Sequence, residues 1–213
     1  MNSEKVLMVL AGRPPRADLL NWRLEEADLS IAVDGGWECF RAAELVPNAW
    51  IGDGDSCDEF QSLSSDYENM LVIPSIDQDS TDFEKAAIWV NQNTNCSDLV
   101  VLGGMGERSD HFLSNLIIAA NFNSRWTVTF DDTDEWIRRV TPETPLSLKG
   151  RNGSTLSILP IEECKLSTNG LKWELSDEKL SIRDSKVSQS NECISDNIEV
   201  KCQSGCAFVF LVK

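Results

Sequence analysis

Short apolar runs recur through the first part of this chain, and they constrain its fold more than any other feature. They are Lys5–Leu10, Leu29–Val33, Ala49–Ile51, Leu71–Ile73, Asp98–Leu102 and Trp126–Phe130. A strand that is apolar along its length, not at alternate positions, has both faces covered, as in a parallel sheet. Between the runs, Asp18–Ala27, Trp37–Leu45 and Phe83–Val90 read as helices. So does the stretch after Ser109, with Phe112, Leu113, Leu116, Ile117 and Ala120 expected on one stripe. A weak helix is expected over Asp58–Leu63. Strands alternating with helices predict an α/β parallel-sheet N-terminal domain. The pattern changes at Thr141-Pro142-Glu143-Thr144-Pro145. Beyond it, short runs separated by turn residues replace helical stripes: Ser154–Leu159, Lys165–Thr168, Leu171–Leu175, Leu180–Ile182, Lys186–Gln189, Ile198–Lys201 and Cys206–Val212. This half predicts an all-β sandwich C-terminal domain. The expected domains are residues 1–140 and 141–213.

In an open parallel sheet the loops after the strands lie along one edge, and ligands bind there. Acids occupy several of those loops. Asp34 follows the second run in Asp34-Gly35-Gly36, and Asp53 and Asp55 follow the third in Gly52-Asp53-Gly54-Asp55-Ser56. Asp77-Gln78-Asp79-Ser80-Thr81-Asp82 follows the fourth. Singly, each is a solvated loop residue. Their shared placement brings them to one rim. Thr81 and Glu84 form a capping box that starts a helix at Asp82. The helix dipole accounts for Asp82 and Glu84 but not for Asp77 and Asp79. Crowded carboxylates repel, and hard oxygen ligands beside substrate phosphates suit Mg²⁺.

The fifth run leads into Gly103-Gly104-Met105-Gly106-Glu107-Arg108. Glycines let a backbone approach phosphate closely, and a helix start favours anions. The run is not a P-loop, lacking the Gly-Lys-Ser/Thr ending, nor a full dinucleotide fingerprint, since Ser109 replaces the last glycine. By itself it is equally a tight turn. Arg108 can fork onto a phosphate. His111, the single histidine, reads either as catalytic or as packed on the loop.

The net charge is −16, from 35 acids against 19 bases. This argues against nonspecific binding to nucleic acid or an anionic membrane. No apolar run is long enough to span a bilayer. Residues 1–5 lack a signal-peptide layout, so a cytoplasmic location is expected. The seven cysteines include no Cys-x-x-Cys pair, and reduced, mostly buried thiols are expected.

Taken in order, Asp34-Gly35-Gly36, Gly52-Asp53-Gly54-Asp55-Ser56, Asp77-Gln78-Asp79-Ser80-Thr81-Asp82-x-x-Lys85 and Gly103-Gly104-x-Gly106-x-Arg108-x-Asp110-His111-x-x-x-Asn115 resemble the thiamine pyrophosphokinase family. Thr168-Asn169-Gly170-Leu171-Lys172-Trp173 and Ser188-Gln189-Ser190-Asn191 extend the resemblance over nearly the whole chain. It implies a nucleotide-binding α/β domain, a β-sandwich, and a homodimer with active sites between subunits. It also implies Mg²⁺-dependent transfer of pyrophosphate from ATP to the hydroxyl of thiamine. By that resemblance Asp53, Asp55 and Asp82 hold Mg²⁺, and with Arg108 and Asp110 they are the catalytic set. Asp34, Gly35, Gln78, Thr81, Lys85, Gly103, Gly104, Arg108 and His111 would contact ATP. Gln78, Trp173, Ser190 and Asn191 would contact thiamine. Trp37 and Glu107 depart from the family pattern. Asp82 and Asp110 are the better candidates for accepting the alcohol proton. Trp173 offers a ring face to cationic thiamine, although pattern alone places it in the sandwich core. A pyrophosphokinase for another alcohol, such as a pterin, and a nucleotide sensor without turnover are the other readings. Trp173 with Ser190-Asn191 argues against the first, and the full set of acids against the second.

Overall fold

The computed structural model describes residues 3–54, 63, 65–75 and 79–213. Asp55, Asp77 and Gln78 lie outside the described residues, as does the expected helix over 58–63 apart from Leu63. The chain falls into two compact units, Met1–Asn115 with Phe130–Thr133, and Leu116–Thr129 with Asp134–Lys213. The composition change near residue 141 falls inside the second unit.

The first unit is α/β. Its strands β1 (Glu4–Val9), β2 (Leu29–Val33), β3 (Ala49–Gly52), β4 (Leu71–Pro74) and β5 (Cys96–Leu102) run parallel in the order β5-β1-β2-β3-β4. β1 lies between β5 and β2, and Val6, Leu7, Met8 and Val9 are buried, as expected of a strand covered on both faces. The sheet grows from β1 towards β4, and the chain then crosses back to place β5 on the other side of β1. The order therefore reverses between β1 and β5, which makes their carboxyl ends the natural ligand crevice.

The helices are α1 (Ala17–Glu26), α2 (Trp37–Ala42), α3 (Asp82–Asn93) and α4 (Ser109–Ala120). Leu19 and Leu20 from α1 and Trp37 and Phe40 from α2 share a core with Leu7, Val9, Ala32, Trp50, Val100 and Leu102. Each of the larger side chains gains about 1.5–3 kcal/mol from burial. Trp37 packs edge-on against Tyr67, with ring centroids 4.9 Å apart. Its departure from the family pattern is thus a core-packing feature.

α2 stops short of the expected Leu45. Glu44 takes a left-handed φ of 56°, and Leu45 N–H donates back to Phe40 O at 2.9 Å while Glu44 N–H donates to Arg41 O at 3.1 Å. This is a Schellman termination. The stripe expected on α4 is divided. Leu116 and Ala119 are buried, whereas Leu113 and Ile117 are 54% and 48% exposed. The buried line follows positions 116 and 119, and a residue one step on from a buried position turns about 100° away.

The second unit is β-rich. After β6 (Thr127–Asp131), shared between the units, come β7 (Glu135–Val140), β8 (Leu146–Lys149), β9 (Thr155–Pro160), β10 (Cys164–Asn169), β11 (Glu178–Leu180), β12 (Ser188–Glu192), β13 (Asn197–Ser204) and β14 (Ala207–Val212). Antiparallel pairing gives one set in the order β12-β9-β14-β7 and another in the order β11-β10-β13-β8. Burial alternates along β9 and β13. Leu156, Ile158, Val209 and Leu211 of one set share a core with Leu166, Ile198 and Val200 of the other.

β7 and β8 were not among the runs expected from sequence. The expected strand Leu171–Leu175 is instead a loop, joined to Cys193 through Leu171 alone. Arg139 on β7 is fully buried. Its guanidinium donates to the carbonyls of Ala119, Phe122, Asn123 and Trp126 at 2.7–3.0 Å. Cys164, Cys193, Cys202 and Cys206 are buried free thiols. Burial pushes Cys164 up to about 12 and Cys202 and Cys206 to about 11. Among the described residues, no helix is long and apolar enough to cross a membrane.

Candidate active site

A cavity of about 500 Å³ opens at the carboxyl ends of β1 and β5. Its walls are the loop after β1 (Leu10, Ala11, Gly12), Val33 and Asp34 after β2, and Thr81, Asp82 and Phe83 at the start of α3. The glycine loop after β5 and the first half of α4, including Arg108, His111 and Asn115, complete it. The volume falls within the range of small-molecule sites.

Asp34, Asp53 and Asp82 each bring a carboxylate oxygen within 4.8 Å of the other two. Three strand-end loops thus converge, as their shared position after strands predicts. Asp34 is buried at a left-handed φ of 45°, a conformation aspartate tolerates better than most residues. The indole N–H of Trp50 holds its backbone carbonyl at 3.0 Å. Gly52 leaves the room: a Cβ there would lie 2.9 Å from the Asp34 Cβ. Oxygen donors from three separate loops, close enough to share one ion, fit a hard divalent cation such as Mg²⁺. Asp34 was expected on this rim, but by the resemblance as a nucleotide contact and not among the Mg²⁺ ligands. Its place directly after a strand is the sequence signal it shares with Asp53.

Thr81 caps α3, its hydroxyl accepting from Glu84 N–H at 3.2 Å. This fixes Asp82 in the first helical turn. Lys85, expected to meet ATP, is buried and does not line the cavity. Its ammonium donates to Asp82 Oδ1 at 3.0 Å and to Ser75 O at 3.4 Å. An i,i+3 pair shares one helix face, so Lys85 orients Asp82 from behind. Gly35 sits in the 3-10 turn Asp34–Gly36.

In the glycine loop Gly103, Gly106 and Glu107 take φ values of +63°, +82° and +53°. A Cβ on Gly103 would lie 2.3 Å from Leu10 O, so this turn and the β1 loop require glycine there. Gly104 lines the cavity, and its carbonyl accepts from the Asn115 side chain at 3.0 Å. Arg108 forks onto Asp110, with Nε to Oδ1 at 3.2 Å and Nη2 to Oδ2 at 2.6 Å. Those hydrogen bonds hold the Asp110 carboxyl at about 2. His111 is exposed at the cavity wall.

Trp173, Ser190 and Asn191 come together in the second unit. Trp173 is 58% exposed, which overturns its reading as sandwich core. The Lys172 ammonium lies 5.0 Å from its ring centroid. Asn191 is buried and clasps the Trp173 backbone, donating to its carbonyl at 2.7 Å and accepting from its N–H at 3.1 Å. Ser190 is exposed at φ 56°, its N–H donating to Ser157 Oγ at 2.9 Å.

Residues 20–130 match the family model for the thiamin pyrophosphokinase catalytic domain. Residues 143–207 match that for the thiamin pyrophosphokinase vitamin B1 binding domain. Thiamin pyrophosphokinase 1 of Caenorhabditis elegans is 30% identical over 165 residues, covering 71% of this chain and 67% of the relative. The crystal structure of thiamine pyrophosphokinase from Bacillus subtilis superposes with a TM-score of 0.79 over 99% of each chain at 21% identity. The yeast thiamin pyrophosphokinase structure gives 0.78 over 100% of this chain and 87% of that one at 19% identity. At those identities the two structures speak to the fold.

Proposed function

Because this chain belongs to the thiamin pyrophosphokinase family, we propose that its acidic rim and its Trp173 loop divide the work of the family's reaction. The activity is transfer of the pyrophosphoryl group of ATP to the hydroxyl of thiamine, giving thiamine diphosphate and AMP. The observation that carries the assignment of residues is the convergence of Asp34, Asp53 and Asp82 beside a cavity of nucleotide-compatible size.

In this reading those three carboxylates hold Mg²⁺, and Asp55, two residues after Asp53, joins them. The bound ion supplies charge neutralisation for the phosphates. Gly103 and Gly104 let the backbone approach the nucleotide, and Gly35, Thr81, Gln78 and His111 complete its contacts. Arg108 leaves Asp110 to fork onto the transferring group, and Asp110 holds Arg108 in place until then. Lys85 keeps Asp82 oriented. The thiamine hydroxyl oxygen bonds to the β-phosphorus as the bond from that phosphorus to the α–β bridging oxygen breaks. AMP carries the bridging oxygen away, and Asp82 takes the hydroxyl proton late in the transfer. Thiamine lies against the Trp173 ring, whose attraction for cations is visible in Lys172. Ser190 contacts thiamine beside the ring, Asn191 supports it, and Gln78 is a further thiamine contact by the family resemblance.

We also propose residues 1–140 as the catalytic domain and 141–213 as a thiamine-binding β-sandwich. A homodimer and a cytoplasmic location complete the reading. The test is incubation of purified protein with ATP, Mg²⁺ and thiamine, followed by chromatography of nucleotides and thiamine esters. AMP and thiamine diphosphate are expected in equal amounts, with turnover falling about 100-fold or more in Asp53→Asn and in Asp55→Asn. Unchanged turnover in Asp53→Asn would remove the acidic rim from the reaction.

A further inference from the structure

The loop that carries Trp173 is organised by a neighbour that no motif singles out. Glu174 Oε1 accepts from the backbone N–H groups of Gly170 at 2.6 Å and Leu171 at 2.9 Å. Its Oε2 accepts from the Thr168 hydroxyl at 2.6 Å, and that hydroxyl accepts from Leu175 N–H at 2.9 Å. On the other side Asn191 clasps both backbone groups of Trp173. Lys172 N–H donates to Glu192 O at 2.9 Å. The backbone N–H groups from Gly170 to Trp173 are therefore all engaged, and Leu171 is buried beneath them. Yet the indole they frame stands 58% exposed.

A mobile loop would let the indole fold down and remove apolar surface from water. Charge-assisted hydrogen bonds from one carboxylate to three donors resist that collapse, because each is stronger than its neutral counterpart. The loop is tied down by hydrogen bonds where flexibility would hide the ring. A preformed binding face lowers the ordering cost that a ligand must otherwise meet.

We propose that Glu174 is a positioning residue for thiamine recognition: it fixes the loop so that Trp173 presents its ring face before the ligand arrives. The inference rests on the thiamine-binding part of the proposed function. Glu174 itself touches no substrate and acts through Trp173 alone.

Steady-state kinetics of the full-length protein test it, with Trp173→Ala, Glu174→Ala, Glu174→Gln and the Trp173→Ala/Glu174→Ala double variant. Glu174→Ala raises KM for thiamine about 10-fold, the scale expected for losing charged hydrogen bonds, while kcat and KM for ATP stay within about two-fold. Glu174→Gln, which keeps one accepting oxygen, recovers part of the loss. The double variant behaves as Trp173→Ala alone. Independent losses that multiply, or an unchanged KM for thiamine in Glu174→Ala, overturn the proposal. An unchanged KM for thiamine in Trp173→Ala overturns it by removing the ring from thiamine binding. ¹⁵N relaxation of the Trp173 indole gives a readout independent of turnover. The ring is ordered in the parent protein and mobile in Glu174→Ala; equal order in both overturns the role of Glu174 even where the reading of the active site stands.

Discussion

The indole N–H of Trp50 donates to the backbone carbonyl of Asp34 at 3.0 Å, inside the core of the α/β unit. β3 thereby serves both packing and site. Trp50 fills the core, Gly52 clears space for Asp34, and Asp53 follows at the rim. The left-handed backbone of Asp34 is strained by about 1–3 kcal/mol, and the surrounding core has to hold it.

Trp50→Phe keeps a large ring and removes that bond. The expected cost is about 2–4 kcal/mol of stability, from the buried carbonyl left without its donor and the core volume lost, measured by urea unfolding. Asp34 then loses part of its fixed position, and the Mg²⁺ concentration for half-maximal activity rises about three- to ten-fold. An unchanged Mg²⁺ dependence would show that Asp34 is fixed without Trp50.

The Arg108–Asp110 pair makes a prediction about acid. Arg108 holds the Asp110 carboxyl at about 2, below its ordinary value of 3.8. A lowered folded value means the pair contributes fully above 3.8 and is lost only as pH falls through about 2. Both side chains are exposed, so its effect on global stability is small. A ¹³C NMR titration of the Asp110 carboxyl should show a midpoint near 2, and Arg108→Gln should move it up towards 3.8. A midpoint near 3.8 in the parent protein would mean that the fork does not persist in solution.

Arg139 satisfies four carbonyls from within the β unit. Arg139→Leu fills part of the volume but strips those acceptors of their donors. A loss of about 3–5 kcal/mol is expected, read as a lower urea midpoint with an unchanged slope. A loss below about 1 kcal/mol would mean that the carbonyls find other donors.

The parallel sheet was legible because its strands are apolar on both faces, a pattern that needs no knowledge of tertiary contacts. The acidic rim was legible for a related reason, since the ends of parallel strands must share an edge. Other features depended on contacts between distant residues. β7 hid behind Arg138 and Arg139, because a guanidinium buried on four carbonyls looks in sequence like a solvent-facing residue. Leu171-Lys172-Trp173-Glu174-Leu175 alternates as a strand should, yet Glu174 draws off its neighbours' N–H groups and makes a loop. The resemblance offers Lys85 as a nucleotide contact, whereas its i,i+3 spacing pairs it with Asp82. The outward turn of Leu113 and Ile117 depended on which face of α4 the protein covers.

The central claim is that Asp34, Asp53 and Asp82 together grip the divalent ion that accompanies ATP. Its most direct test is Mn²⁺ binding followed by electron paramagnetic resonance in the presence of a non-hydrolysable ATP analogue. The parent protein should bind the ion, and Asp34→Asn, Asp53→Asn and Asp82→Asn should each weaken binding about 10-fold or more with unchanged circular dichroism. Parent-like Mn²⁺ affinity in all three variants would contradict the account.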